Sequence, residues 1–170
     1  MTEHWIIDAS PLILLGKSGQ LGWLPQMGRI AVPESVACEV AAGSPTDPAL
    51  QWLATAEGAA CIVTDTALTS DLIAWDLGAG ETAVISMARA NPSHEAVLDD
   101  AAARRCAMVF GIPMRGSLSF VALAKKRGLI PACRPIFEQM IAAGLYVSPA
   151  LVEQVALAAA AQIFFCKSCF

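Results

Sequence analysis

Residues 96–105 read AVLDDAAARR, and the passage from apolar run to acid pair to alanine-rich segment decides the architecture. The run at 95–98 (EAVL) is short, apolar and partly β-branched, as in a buried strand. The alanines after Asp100 begin a helix at once. A buried strand that turns directly into a helix is one β–α unit, and Asp99 and Asp100 stand at its turn. Asp100 has a plain structural reading as the N-cap of AAARR. Neighbouring strand residues point to opposite faces, so both aspartates reach one place only if the chain turns between them.

The same unit recurs along the chain. HWII (4–7), RIAV (29–32) and ACIVT (60–64) read as buried strands, and VFGI (109–112) as a further short extended piece. Helical stretches lie between them. SPLILLGKSGQLGWL has Ser10 as N-cap and Pro11 at the first helical position. PESVACEVAAG runs from Pro33 to Gly43, GAGETAVISMARAN ends before Pro92, and AAARRCAMVFG stops at Gly111. SLSFVALAKKRG closes on two lysines, an arginine and Gly128, a well-formed C-terminal signal. RPIFEQMIAAG and SPALVEQVALAAAAQIF follow. Alternating strands and helices predict an α/β fold, a three-layer α/β/α sandwich around a mostly parallel sheet of about 4–5 strands, with a helical C-terminal segment. One domain is expected over 1–160, all-helical from about residue 131, with a poorly ordered tail at 161–170. AAGSPTDPAL (41–50) is rich in Gly, Ser and Pro but too short to divide domains.

Of the 170 residues, 56% are hydrophobic and 15% charged, the latter well below the usual ~25%. Such a chain fills a core and has apolar surface left over, which predicts a homodimer or higher homo-oligomer, or an obligate partner. LVEQVALAAAAQIFFC is interrupted by Glu153, Gln154 and Gln162 and is no membrane span; the N-terminus lacks a basic region and is no signal peptide. A soluble cytoplasmic protein is expected. A net charge of −4 argues against holding nucleic acid by bulk electrostatics, but leaves room for phosphate contact through bound metal ions. The positive charge clusters late, at Arg104, Arg105, Arg115, Lys125, Lys126, Arg127 and Arg134. Cys38, Cys61, Cys106 and Cys133 sit in apolar segments as small hydrophobes. Cys166 and Cys169 form a CxxC without a second ligand pair, since His4 and His94 are the only histidines.

In a parallel sheet, ligands bind beyond the carboxyl ends of the strands, so the acids found there are informative. Asp8 follows WII, Asp65 follows CIVT, and Asp99 and Asp100 follow AVL. Glu39 lies between apolar neighbours in VPESVACEV, and Glu81 opens the helix after LGAG. Each has a structural explanation: Asp8 and Asp100 as caps, Glu81 in a first helical turn, Glu39 on an exposed face or paired with a base. As a set they tell more. Nearly every strand end carries an acid, and converging carboxylates call for a hard divalent cation.

IIDASPLILLGK, VPESVACEV, GAGETAVISMA, VLDDAAARRCA and GIPMRGSLSFVALAKKRGLI occur in the order found in PIN domains. The chain resembles that family over roughly residues 4–155, and most of all its VapC-like branch related to the toxins of toxin–antitoxin pairs. The resemblance implies an α/β/α fold and, where active, metal-dependent cleavage of RNA. Acids hold one or two Mg²⁺ or Mn²⁺ ions that activate a water. Matched by motif, Asp8 is the first acid, Glu39 the second, Glu81 the third, and the Asp99–Asp100 pair supplies the fourth. The family's Thr-x-Asp register selects Asp100, whereas strand-end geometry selects Asp99. Ser10 and Ser117 match hydroxyl positions that orient an acid or a metal-bound water. Arg104 either faces phosphate or pairs with a site carboxylate.

The expected function is therefore a Mg²⁺- or Mn²⁺-dependent endoribonuclease with RNA as substrate and an antitoxin protein as partner. The alternative is a catalytically inactive PIN-like module that binds RNA or protein. A phosphotransfer or nucleotide-binding protein fits less well, because its DD pair normally follows the first strand and LGAGE holds only a lone G-x-G.

Overall fold

The computed structural model describes residues 3–160. Five strands form one all-parallel sheet: β1 (His4–Ile7), β2 (Arg29–Pro33), β3 (Ile62–Val63), β4 (His94–Val97) and β5 (Met114–Arg115). Their spatial order is β3-β2-β1-β4-β5. The centre of the sheet is set by β1, whose Trp5, Ile6 and Ile7 are all buried. Successive strand residues point to opposite faces, so three buried in a row require cover on both sides.

That cover is helical: α1 (Ala9–Lys17), α2 (Glu34–Ala42), α3 (Pro48–Leu53), α4 (Ala56–Ala59), α5 (Ser70–Ile73), α6 (Ala79–Ala90), α7 (Ala101–Val109), α8 (Ser117–Lys126), α9 (Arg134–Ala142) and α10 (Pro149–Ala160). A 3-10 helix spans Leu21–Met27. The result is the expected α/β/α sandwich. One apolar cluster joins sheet and helices, with the Trp5 ring edge-on to Phe120 and its indole N–H donating to the Met27 carbonyl at 3.0 Å.

Three local expectations are corrected. No strand forms at 109–112: Val109 ends α7, Gly111 turns at φ +66°, and Ile112 N–H closes onto the Ala107 carbonyl. The fifth strand begins three residues after Gly111, where the Pro113 carbonyl accepts the Ala96 N–H and β4 supplies the register. Ser10 does not cap the first helix. That helix starts at Ala9, so Asp8 holds the cap position, with Ser10 and Pro11 already inside the first turn. The loop at 41–50 is helical at both ends: residues 41–42 close α2, and Pro48 opens α3, where Asp47 accepts the Ala49 N–H at 2.8 Å. Beyond Ile130 the described residues form α9 and α10. The expected tail at 161–170, with Cys166 and Cys169, lies outside the described residues.

Candidate active site

The sheet order places β1 beside β4, and the chain leaves them toward opposite edges. A crevice opens at such a switch point beyond the strands' carboxyl ends. Asp8 and Asp99 sit on its two sides, and the Asp8 N–H donates to the Val97 carbonyl at 3.2 Å.

Asp8 occupies the N-cap position of α1 in extended conformation, yet its side chain makes no capping bond. The residue is 2% exposed and its Oδ1 has no partner among the described residues. An ionised carboxylate in such a place is costly. Burial accordingly pushes its pKa from the ordinary 3.8 up to about 7; the Ala9 N–H opposes this, and the negative fields of Glu81, Glu39 and Asp99 add to it.

Asp99 is held by the first residue of α8. Ser117 N–H donates to Oδ1 at 2.8 Å and the Ser117 hydroxyl donates to Oδ2. Ser117 is wholly buried. Burial raises the Asp99 pKa, while the two Ser117 bonds and the nearby Arg104 charge oppose the rise. Close approach at Gly116 makes this possible, since a Cβ there would fall 3.2 Å from Asp99 Oδ1 and 3.3 Å from Arg104 Nη1. Asp100 is exposed and takes a different role: its Oδ1 accepts the Ala102 and Ala103 N–H groups at 2.7 and 2.8 Å, capping α7. The chain turns between the two aspartates, and their roles divide there.

The glutamates approach from α2 and α6. Glu81, in the first turn of α6, accepts the Gly78 N–H at 2.9 Å. Its pKa is raised by burial first; the Gly78 bond opposes this, and Asp100 and Glu39 push it further up. Glu39 reaches across from α2 and accepts the Gly80 N–H at 2.7 Å. Both carboxylates are thus engaged by the N-terminus of α6, where backbone donors and the helix dipole favour negative charge.

Glu81, Asp99, Asp100 and the exposed Ser10 line one cleft of about 440 Å³. Its far wall comes from the segment between α9 and α10, residues 143–147, with Tyr146 on the rim. Arg104 forms no ion pair among the described residues. Its Nη1 donates to the Leu98 carbonyl at 3.1 Å, and burial lowers its pKa while Asp99 opposes. Asp65, the remaining strand-end acid, stays outside the cleft. It accepts the N–H and hydroxyl of Ser35 at the opposite side of the sheet, the same clasp that Ser117 applies to Asp99.

Oxygen donors alone make up this set, which suits a hard divalent cation, and the unpartnered Asp8 Oδ1 is the atom such an ion would satisfy. Among the described residues, however, no three His, Cys, Asp or Glu side chains converge tightly enough to hold one ion as they stand. As they stand, the two glutamates are engaged with the Gly78 and Gly80 N–H groups.

Sequence reasoning did not find Gly80 or the 143–147 wall. Gly80 offered only its place beside Glu81, and GLYVSP carried a loop signal without any hint of where the loop lies.

Fold and site together define a parallel α/β/α sandwich with a carboxylate-lined crevice at its switch point. The family described as a PIN domain matches residues 4–160, and the chain belongs to it. No curated protein and no solved structure matches the chain. No helix of the described residues is long and apolar enough to cross a membrane.

Proposed function

We propose that the protein is a Mg²⁺- or Mn²⁺-dependent ribonuclease that hydrolyses RNA phosphodiester bonds, and that it is the toxin half of a toxin–antitoxin pair acting in the cytoplasm. One observation carries the reading: one carboxylate oxygen of the buried Asp8, Oδ1, lies unpartnered at the switch point amid the fields of Glu81, Glu39 and Asp99. A purely structural Asp8 would cap α1, and it does not.

Asp8 and Asp99 would hold the ion directly, with Glu39 and Glu81 joining once they swing off Gly80 and Gly78. When bound, a divalent ion neutralises charge developing on the phosphodiester and makes an attacking water more acidic. Ser117 fixes both oxygens of Asp99 so that its orientation is set before substrate arrives. Asp100 fixes the start of α7 and adds negative field at Glu81. Ser10 offers a hydroxyl on the cleft wall. Arg104 stiffens the Leu98–Asp99 turn through the Leu98 carbonyl and leaves further donors near Asp99.

Apolar side chains on the surface, Ile73, Met108 and Val109 among them, support self-association or an antitoxin contact. The second reading, an inactive RNA- or protein-binding module, is favoured by the engagement of Glu39 and Glu81 with backbone.

The test is cleavage of a mixed-sequence RNA with Mg²⁺ or Mn²⁺. Cleavage that stops with chelator and in Asp8→Asn, at unchanged circular dichroism, supports the nuclease. Intact RNA under all conditions, with RNA or protein binding retained, supports the inactive module.

A further inference from the structure

His4 and His94, the only histidines in the chain, lie far apart in sequence and meet in the fold. They stand in register on β1 and β4, at the amino-terminal ends of the strands, and both are half-buried. Register partners on neighbouring strands share a face, and the two rings lie 4.6 Å apart between centres, tilted by 54°. That spacing has a chemical meaning. Two imidazoles bound through nitrogen to one zinc ion, each at about 2.0–2.1 Å, put their ring centres about 4.5–5.5 Å apart. The Ser93 hydroxyl stands 3.4 Å from His94 Nδ1, which leaves Nε2 as the nitrogen to bind.

Two ligands do not close a zinc site, and among the described residues no third His, Cys, Asp or Glu converges on this pair. Charge decides what the others are. Arg29 is in register with His4 from β2, so a dication here needs anionic ligands of its own. The neighbouring acids are committed elsewhere: Glu3 pairs with Arg127, and Glu95 pairs with Arg115. Thiolates remain. Cys166 and Cys169, outside the described residues, have the C-x-x-C spacing that offers two thiolates to one ion.

The helices lead toward the same end of the sheet. α8 starts at Ser117, which clasps Asp99 beyond the carboxyl end of β4, and finishes where Arg127 reaches Glu3 just before β1. α10 runs alongside it: Leu151 and Val155 lie in a pocket with Asp99, whereas Ala159 and Ala160 lie in one with Lys125. The chain therefore passes Ala160 toward the end of the sheet that holds the histidines, and the stretch from there to Cys166 can span up to about 20 Å.

We infer that His4, His94, Cys166 and Cys169 form a tetrahedral zinc site at the amino-terminal end of the sheet, tying β1 and β4 to the segment after α10. Four protein ligands leave no open position, so the site is structural. It is independent of the ribonuclease reading. Its thiolate and imidazole ligands select zinc, where the carboxylates at the other end of the same strands select Mg²⁺ or Mn²⁺.

The experiment is Co²⁺ titration of the full chain, stripped of metal and kept reduced, followed by visible absorption. One equivalent should give the intense bands of a tetrahedral site with thiolate-to-cobalt charge transfer, and Zn²⁺ but not Mg²⁺ should bleach them. His4→Gln and His94→Gln should weaken Co²⁺ binding by more than the about 10–100-fold that outer-shell groups alone cost. Cys166→Ser should do the same, and it alters no residue of the described fold. In the wild type, with only two histidines to observe, the ring-proton resonances of both should shift with the first equivalent of Zn²⁺. A wild type without these bands, or histidine resonances that stay in place, overturns the site. So do bands that persist in Cys166→Ser, which would free the thiolates from it. Bands lost in Asp8→Asn would put the ion in the acidic cleft instead and overturn it as well.

Discussion

Glu39 and Gly80 are fitted to each other across two helices: Glu39 Oε1 accepts the Gly80 N–H at 2.7 Å, and a Cβ on Gly80 would stand 2.5 Å from Glu39 Oε2. Gly80 is the second residue of α6 and is buried, with ordinary helical placement. It is glycine because a carboxylate occupies the space a side chain would take.

Gly80→Ala separates site from fold. Alanine is favoured over glycine within a helix by up to about 1 kcal/mol, so the variant should melt at or near the wild-type temperature. The added methyl displaces Glu39, and loss of such positioning typically weakens metal sites by about 10–100-fold. Titration calorimetry with Mn²⁺ and RNA cleavage should both fall in that range. Unchanged Mn²⁺ affinity would remove Glu39 from the site.

Asp8 links the site to stability through pH. Its folded pKa of about 7 exceeds the ordinary 3.8, so folding favours the protonated form. In chelator, the stabilisation is present below about pH 4 and is lost as pH rises through about 7, by at most about 4 kcal/mol. Asp8→Asn removes this dependence. Urea denaturation at pH 5 and pH 8 should show wild type losing more stability than the variant over that interval. Mn²⁺ should raise the wild-type melting temperature at pH 7 and shift the variant far less, because an ion that binds only the folded state stabilises it.

Ser117 and Ser35 apply the same clasp to Asp99 and Asp65, but only Asp99 lies in the cleft. Ser117→Ala should cost about 1–3 kcal/mol and let the Asp99 pKa rise further, since a bond that opposed the rise is gone. The acid limb of the cleavage profile should move to higher pH. Ser35→Ala should lower stability too, with no displacement of that limb.

The two adjacent aspartates should differ in kind. Asp100→Ala should cost about 1 kcal/mol of stability, and Asp100→Ser should recover most of it, as for any N-cap. Asp99→Asn should leave the cap intact and abolish cleavage. Thermal melts and cleavage rates on the same four proteins, wild type included, test the division. Equal loss of cleavage in Asp100→Ser would give Asp100 a direct part in the site.

Much of this molecule was legible because its signals are local. The runs at β1, β2 and β4 are apolar and β-branched within a few residues, and Asp100 announces its cap by preceding AAARR. Even the acids of the site could be listed, because Asp8, Asp99, Asp100 and Glu81 stand at strand ends or helix starts and Glu39 sits between apolar neighbours. Where a local signal competed with a distant one, sequence reading failed. Ser10 looks as good a cap as Asp8, yet β1 ends at Ile7 in register with Val97, and that places Asp8 at the junction. The fifth strand is two residues long and exists only because β4 pairs with it.

The amino-acid sequence by itself therefore determined the α/β alternation and the inventory of carboxylates, since periodicity and capping are properties of neighbouring residues. Tertiary structure decided the rest. The order β3-β2-β1-β4-β5 brings together acids separated by up to about ninety residues, and burial leaves Asp8 Oδ1 without a partner among the described residues. It also clasps Asp99 with Ser117 and commits Asp100 to capping α7, and carries Tyr146 to the rim of the same cleft. Those outcomes depend on solvent exclusion and on fields from distant segments, and neither is written in any short stretch of chain.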